Sequence, residues 1–228
     1  MQTRYIKFLV ITIFSLFVYS SLFAQGSGVA VTAKIKGKTE HKAVGGKYQS
    51  DLKRGKLLND KAWVRTRDDG YLALMFIDDK TLLKLRENSE LEIRADRSAS
   101  GLNKSILMSF GKVKAEISAQ RSGEFIISTP TSVASVKGTI FWIIVTSEGD
   151  QFIGIEGTVE VTNIESGQTV LVTVGQTATS NVDGSIEVQA TPEGGVPDDP
   201  GETEDEGNEL RIRLENADGE TKEIIINY

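Results

Sequence analysis

The chain has 228 residues, a formal net charge of −6 and no cysteine, and it is long enough to bury the core of one sizeable domain. An acidic chain is not a general nucleic-acid binder, because neutralising phosphates requires a clustered basic surface. The absence of cysteine excludes disulfides, thiol nucleophiles and lipid attachment through a cysteine.

Residues 1–24 have the three-part layout of a secretory signal peptide. Arg4 and Lys7 precede an apolar stretch, and mostly small residues lead to Ala24. We expect cleavage after Ala24, which leaves an exported chain, periplasmic or secreted, with a formal charge of about −8. The alternative is an uncleaved anchor, but the apolar stretch is shorter than the ~20 residues that a spanning helix needs.

Residues 25–190 show the pattern of short β-strands separated by turns. Apolar and polar residues alternate with period two in three segments, at 91–94, 113–117 and 159–162. The apolar run at 140–145 is too short for a buried helix and fits a strand covered on both faces. No persuasive 3.6-residue stripe with caps is present, so we predict an all-β domain.

Four glycines, at 111, 138, 157 and 175, each open a strand-like run. Such spacing suits the coils of a small β-solenoid or roll-like domain, in which a glycine lets the backbone bend at each corner. A sandwich-like pair of sheets with regular hairpins would produce a similar pattern. Both architectures remain open at this point.

The composition changes after Thr191. Residues 191–208 contain three of the four prolines and many acids without a cation, which predicts a flexible acidic linker. Two β-rich runs then flank Asp218-Gly219, so residues 209–228 are predicted to form a C-terminal β-hairpin. A lone hairpin is marginal in water, so we expect it to dock on the main domain or on a partner.

Candidates for catalysis are few. His41 is the single histidine, and no further metal ligands accompany it. The adjacent acids Asp68-Asp69 and Asp78-Asp79 suit turns, because neighbouring side chains on a strand point to opposite faces and cannot form a glycosidase pair. A calcium site built from them would need six or more oxygens, and only a few are in view. We therefore predict no enzyme, no catalytic residue, no cofactor and no metal.

Trp63 and Trp142 offer two interpretations. As an exposed pair they could form a platform on which a sugar stacks. Trp142, however, lies inside the apolar run IFWIIV, and Trp63 alternates with Val64 in a predicted strand. We expect core packing for both.

Four stretches follow one another in a characteristic order along the chain. They are KAWVRTRDDGYLALMFIDDKTLLKLRENSELEI at 61–93, GKVKAEI at 111–117, STPTSVASVKGTIFWIIV at 128–145, and the stretch at 156–180 that contains EGTVEV and SGQTVLVTVGQTATS. This order resembles the FecR family of bacterial cell-envelope signalling domains, over about residues 29–183. One departure is Lys80, which stands where family members usually have glycine, so the turn there is expected to differ.

The resemblance implies a non-enzymatic β domain outside the inner membrane. The best-known relatives span that membrane, hold a sigma factor through a cytoplasmic segment and read the state of an iron-siderophore receptor with their outer domain. Only seven residues precede the apolar stretch of this chain, so we expect no direct anti-sigma role. We expect an envelope protein as partner, such as an outer-membrane receptor or transporter, and membrane association only through that partner or an uncleaved signal segment. The alternative is a glycan- or cation-binding envelope protein on the same scaffold.

The string TPTSVASVKGT, at 129–139, is the most patterned part of the resemblance. Its proline, small residues and glycine predict a tightly packed corner that joins two coils of the core. The alternative is that Ser132, Ser135 and Lys137 face outward and dock a partner.

Overall fold

The computed structural model describes residues 28–98, 101–119, 125–199, 209–215 and 221–227. These residues form eighteen β-strands and no helix, so the prediction of an all-β chain is confirmed. Accordingly, the described residues contain no helix that could span a membrane. The predicted signal peptide at 1–24 lies outside them.

The strands follow one another with short connections. In chain order they are β1 Ala30–Lys36, β2 Thr39–Lys42, β3 Leu57–Leu58, β4 Ala62–Thr66, β5 Tyr71–Phe76, β6 Leu82–Leu85, β7 Glu90–Ser98, β8 Gly101–Glu116, β9 Phe125–Ser128, β10 Ser132–Val136, β11 Ile140–Val145, β12 Gly149–Glu156, β13 Val159–Asn163, β14 Thr169–Val172, β15 Gln176–Asn181, β16 Ile186–Ala190, β17 Glu209–Glu215 and β18 Thr221–Asn227.

The first sixteen strands build two sheets that share the long strand β8. The front sheet has the order β3-β1-β5-β6-β8-β11-β12-β15-β16, and the back sheet has the order β2-β4-β7-β8-β9-β10-β13-β14. The first part of β8, up to Phe110, pairs with β7, and the rest pairs with β6 and β11. Gly111 stands at the crossing with φ +103°, where a Cβ would lie 2.3 Å from Ser89 Oγ. Only glycine lets the strand bend there from one sheet to the other.

The inner faces of the two sheets form one continuous core. On β11, Phe141, Ile143 and Val145 point inward, and the intervening residues face the other way. Phe76 of the front sheet meets Phe125 of the back sheet edge-to-face, with ring centroids 5.6 Å apart. Each such buried side chain contributes roughly 1.5–3 kcal/mol, which is why the period-two pattern determines the face that each strand buries.

The strand pairing distinguishes the two architectures that the glycine spacing left open. Among the described strands the pairs are antiparallel except for β8 and β9, which run parallel. A solenoid would stack parallel strands from successive coils. The arrangement is therefore the sandwich-like alternative.

After β16 the chain turns back over the front sheet. Residues 191–199, the first part of the predicted acidic linker, contact strands of that sheet, as described below. Residues 200–208 lie outside the described part. Strands β17 and β18 then pair antiparallel as a separate two-stranded sheet, with Ile212 opposite Ile224, as expected for the predicted hairpin.

Candidate partner-docking site

The string TPTSVASVKGT forms the hairpin turn between β9 and β10, the strand β10 itself, and the start of the connection to β11. Thr129 closes the turn, because its backbone N–H donates to Ser132 O at 2.9 Å and its hydroxyl accepts from Ser132 N at 2.9 Å. Strand β10 then lies between β9 and β13 in the back sheet. The string is thus a hairpin and a central strand, whereas the sequence predicted a corner between coils.

The hydroxyls of this hairpin bind one buried carboxylate in the opposite sheet. Asp150 of β12 is fully buried, and its Oδ2 accepts hydrogen bonds from Thr129 Oγ1 at 2.5 Å, from Thr131 N at 3.2 Å and from Thr131 Oγ1. Hydrogen bonds to a charged acceptor are the stronger kind. Asp150 therefore ties the back sheet to the front sheet at this end of the sandwich.

Asn163 extends the same link between the sheets. It stands opposite Ser132 on β13, and its Nδ2 donates to Ser180 Oγ at 2.8 Å and to Asn181 O at 3.0 Å on β15. Thr131 Oγ1 also lies 3.2 Å from Ser180 O. The hydroxyls and amides at this end of the molecule form a buried polar network, which holds the hairpin in a single position.

The three predicted docking residues have different environments. Ser132 is fully buried in the hairpin, Ser135 is half-buried on the outer face of β10, and Lys137 is exposed in the turn that leads to β11. Only Ser135 and Lys137 are therefore reachable from solvent. A docking role for these residues stays a prediction.

The turn after Lys137 requires glycine at position 138 because of its backbone conformation and its close neighbour. Its φ is +130°, a conformation that side chains rarely adopt, and a Cβ there would lie 3.1 Å from Ala119 Cα. Gly138 and Thr139 form one wall of a surface cleft next to Lys137.

The cleft has a volume of about 470 Å³ and follows one row of the front sheet. Leu82, Glu116, Ile140 and Glu156 stand opposite one another on β6, β8, β11 and β12, and all four line it. Lys80 lines the cleft as well. Two apolar side chains, two carboxylates and a lysine together form a surface that suits a polypeptide, which offers apolar and charged groups together.

The acids of FIDDKTLLKL are engaged in an ion pair. Lys104 is 1% exposed on its side chain, and its Nζ lies 2.9 Å from Asp78 Oδ2 and also contacts Asp79. Thr81 donates to Asp79 through both its N–H and its hydroxyl, each at 3.0 Å. These acids therefore bind a buried lysine and close a turn, and within the described residues no three acidic, histidine or cysteine side chains converge to hold a metal ion.

Lys80 adopts φ +62° in that turn. The left-handed conformation is disfavoured for a residue with a Cβ and costs glycine little. The turn therefore holds lysine in a backbone conformation that favours glycine, and the expectation that it differs from the turn of family members stays a prediction.

The two tryptophans differ. Trp142 is 1% exposed, as expected, whereas Trp63 is half-buried on the outer face of β4 and not in the core. Lys42 Nζ lies 4.8 Å from the centroids of both Trp63 and Tyr48, and Arg65 Cζ lies 3.5 Å from that of Tyr48. A sugar stacked on these rings would have to displace the chain's own cations.

Histidine and tyrosine in this region are held neutral. Burial lowers the pKa of His41, with Lys56 adding to the effect. Burial also raises the pKa of Tyr48, whose hydroxyl donates to Glu90 Oε2 at 2.8 Å. His41 contacts Asp51 at 3.4 Å, so it fills a structural position on the back sheet.

Sequence patterns did not indicate Asp150, the cleft or the docked residues 191–199. Asp150 has no spacing relation to the threonines that bind it, since they lie 19 and 21 residues earlier. The cleft depends on the order of four strands, which period-two alternation does not determine.

One family model matches part of the chain. Residues 62–160 match the family described as "FecR protein", so the resemblance that the motifs predicted is confirmed over those residues. No curated protein matches the chain significantly in sequence.

Two solved structures are similar to part of the chain. Both are crystal structures of a protein described as a "putative anti-sigma factor" from Parabacteroides distasonis ATCC 8503. They have TM-scores of 0.49 and 0.48, with 15% and 16% identity, and each match covers 56% of this chain. The chain spans 59% of the length of each of those structures.

Proposed function

We propose that the chain is an exported, non-enzymatic FecR-like module that binds a protein partner and takes part in signalling in the bacterial cell envelope. The observation that carries the proposal is the FecR-family match over residues 62–160, since this family is regulatory in general. Export is supported by the signal-peptide layout of residues 1–24.

The side-chain chemistry supports binding over catalysis. Asp78 and Asp79 are paired with buried Lys104, and Asp150 accepts hydrogen bonds from the TPTS hairpin. A general acid or base must be free to exchange a proton with a substrate. These acids are instead committed to the fold.

We place the partner contact at the end of the sandwich where Lys137 stands next to the cleft. Lys137 is exposed, and the cleft beside it combines apolar side chains with charges of both signs. Interfaces of that composition bury an apolar centre and pair the surrounding charges. An outer-membrane receptor or transporter is the kind of partner we expect.

The test compares the intact protein with a Lys137→Glu variant as bait for envelope extracts. We expect the wild type to retain a discrete protein partner and the variant to retain much less of it, while both unfold at the same temperature. Equal retention by the two proteins would contradict the placement of the contact.

The alternative function, binding of a glycan or a cation, predicts a different result. The half-buried rings of Trp63 and Tyr48 favour it, but these rings already contact Lys42 and Arg65. If the protein retained no protein partner and sedimented with peptidoglycan or polysaccharide, the alternative would replace the proposal.

A further inference from the structure

Residues 191–199, which we name the strap, are anchored to the front sheet at both ends. At the first end, Thr191 N donates to Gly175 O at 2.8 Å, and the hydroxyls of Thr191 and Thr177 lie 2.9 Å apart. At the other end, Asp199 Oδ2 lies 2.8 Å from Lys84 Nζ and 2.9 Å from Lys114 Nζ. The strap therefore crosses the sheet from β15 to β8 and β6.

The path of the strap follows one row of side chains. Standing opposite one another on successive strands are Lys84, Lys114, Trp142, Ile153 and Thr177. Three strand spacings from β15 to β8 measure about 14 Å, and eight residue steps reach at most about 27 Å, which leaves room for a turn. Gly195 N donates to Pro192 O at 2.9 Å in that turn.

Trp142 and Ile153 lie between the two anchors. They are 1% and 2% exposed although they face away from the central core, to which their neighbours Phe141 and Phe152 belong. The strap runs over this outward face between its two anchors, and we attribute the burial of the two side chains to it.

The far anchor forms a site for a carboxylate. Lys84 and Lys114 stand directly opposite each other, and like charges in that position repel. Glu116 Oε1 lies 2.8 Å from Lys84 Nζ and 3.3 Å from Lys114 Nζ. One glutamate offsets one of the two positive charges, and a second carboxylate offsets the other. Asp199 supplies that carboxylate, and its side chain is only 4% exposed.

The same surface also binds the backbone of the strap. Arg86 donates through a guanidinium nitrogen to Asp198 O at 2.8 Å. Between the anchors, Pro192, Glu193, Gly194 and Val196 are exposed, so few side chains of the strap are packed. A segment held by two ends with an exposed middle can open locally at low cost.

We propose that this surface, the strap site formed by Lys84, Arg86, Lys114 and Trp142, binds an extended acidic peptide of the partner protein, and that the strap is an intramolecular occupant which the partner replaces. The inference rests on the proposed function and names the chemistry of its partner. Glu116 belongs to both the strap site and the cleft, so the two form one continuous surface. A tethered occupant competes at high effective concentration, which keeps the site closed until an acidic partner of higher affinity arrives.

The first experiment tests the strap through Trp142 fluorescence in a full-length Trp63→Phe chain, where Trp142 is the single tryptophan. We expect poor quenching by acrylamide, and increased quenching after Asp199→Asn. Glu193→Gln is the matched control, because Glu193 is an exposed acid in the same segment. If Asp199→Asn left the quenching unchanged, or Glu193→Gln raised it equally, the strap assignment would be overturned.

The second experiment tests the site with a labelled peptide of sequence VPDDPGETEDE, which copies residues 196–206. We expect it to bind the full-length Asp199→Asn chain at least about tenfold more tightly than the wild type, because the competing ion pair is weakened. Binding should be lost in an Asp199→Asn chain that also carries Lys84→Gln and Lys114→Gln. If that chain does not fold, Lys84→Gln alone should reduce the affinity.

Three results would overturn the proposal. The first is that the peptide does not bind the Asp199→Asn chain. The second is that replacing Lys84 and Lys114 does not change its affinity. The third is that inorganic polyphosphate binds as tightly as the peptide, which would mean a general polyanion site. None of these results would change the retention of a protein partner in the Lys137→Glu experiment. If instead no protein partner were retained while the peptide still bound, only the proposed function would be contradicted.

Discussion

Gly138 is the residue at which the backbone geometry of the TPTSVASVKGT string is most constrained. We expect Gly138→Val to destabilise the protein by about 1–3 kcal/mol, because its φ of +130° disfavours any side chain and a Cβ would press on Ala119. Chemical denaturation measures the change. Lys137→Glu, at the exposed neighbour, is the control and should change stability by less than about 0.5 kcal/mol. Equal effects at both positions would contradict the packing account.

At Lys80, in contrast to Gly138, a substitution is expected to stabilise the protein. Its φ of +62° is strained for a residue with a Cβ, so Lys80→Gly should stabilise the folded state by up to ~1 kcal/mol, since relief of the left-handed conformation is partly offset by chain entropy. Lys80→Ala separates the backbone from the side chain, because alanine keeps the strain. Thermal unfolding that gives the same gain for alanine and glycine would show that the lysine side chain is responsible.

The ion pairs of Glu40 are expected to make the stability of the protein depend on pH. The hydrogen bond from Arg65 holds the pKa of Glu40 below its ordinary value of 4.5, and Arg67 adds to the effect. A carboxylate with a depressed folded pKa contributes stability that is present above the ordinary value and is lost as the pH falls through the folded value. The stability difference between wild type and Glu40→Gln should therefore be largest near neutral pH and shrink below pH 4.5.

The matched control for that experiment is Arg65→Gln. In this background Glu40→Gln should lose most of its effect, because the principal partner of the carboxylate is gone. A stability difference that persists unchanged into acid would rule out the ion pair as its source.

At the scale of elements, the TPTS hairpin links the two sheets through Asp150. We expect Thr131→Val to cost about 1.5–3 kcal/mol, since valine keeps the shape but removes a hydrogen bond to a buried carboxylate. In an Asp150→Asn background the same change should cost less, because the two groups are coupled. Thr162→Val is the control, as the hydroxyl of Thr162 contacts that of Thr169 at an exposed place on β13. Additive costs in urea unfolding would contradict the link.

Local elements were predictable from the sequence because their cause is local. The alternation in β7, β8 and β13 reflects which side chains each strand buries, and it needs no knowledge of partners. The transfer of β8 from one sheet to the other at Gly111 was not predictable, because it depends on pairing with β6 and β11. Gly111 indicates that the backbone can bend there, but which strands pair with β8 on either side of the bend depends on the tertiary structure.

At the scale of the whole molecule, composition was least informative for residues 191–199. Proline, glycine and acids predict a chain that cannot bury a core of its own. The segment nevertheless meets Lys84 and Lys114, which lie 115 and 85 residues before Asp199. No local pattern relates residues so distant, and the ion pairs exist only because the sheet brings two lysines together.

The surroundings of Lys137 were also not predictable from the sequence. The sequence indicated Ser132, Ser135 and Lys137 together because they share one string. The fold separates them: Ser132 belongs to the interior, and Lys137 stands beside a cleft that is lined in part by residues of β6, β8, β11 and β12. The surface proposed for docking therefore depends on the fold of the sandwich.

The most direct measurement of the central claim is site-specific photo-crosslinking in the cells that produce the protein. A photoreactive residue would replace Lys137 in one strain and Val182 in another, because Val182 is also exposed but lies in the distant β15–β16 turn. We predict a discrete protein adduct from position 137, with crosslinked partner peptides rich in Asp and Glu, and none from position 182. The same adducts from both positions, or none from position 137, would contradict the account.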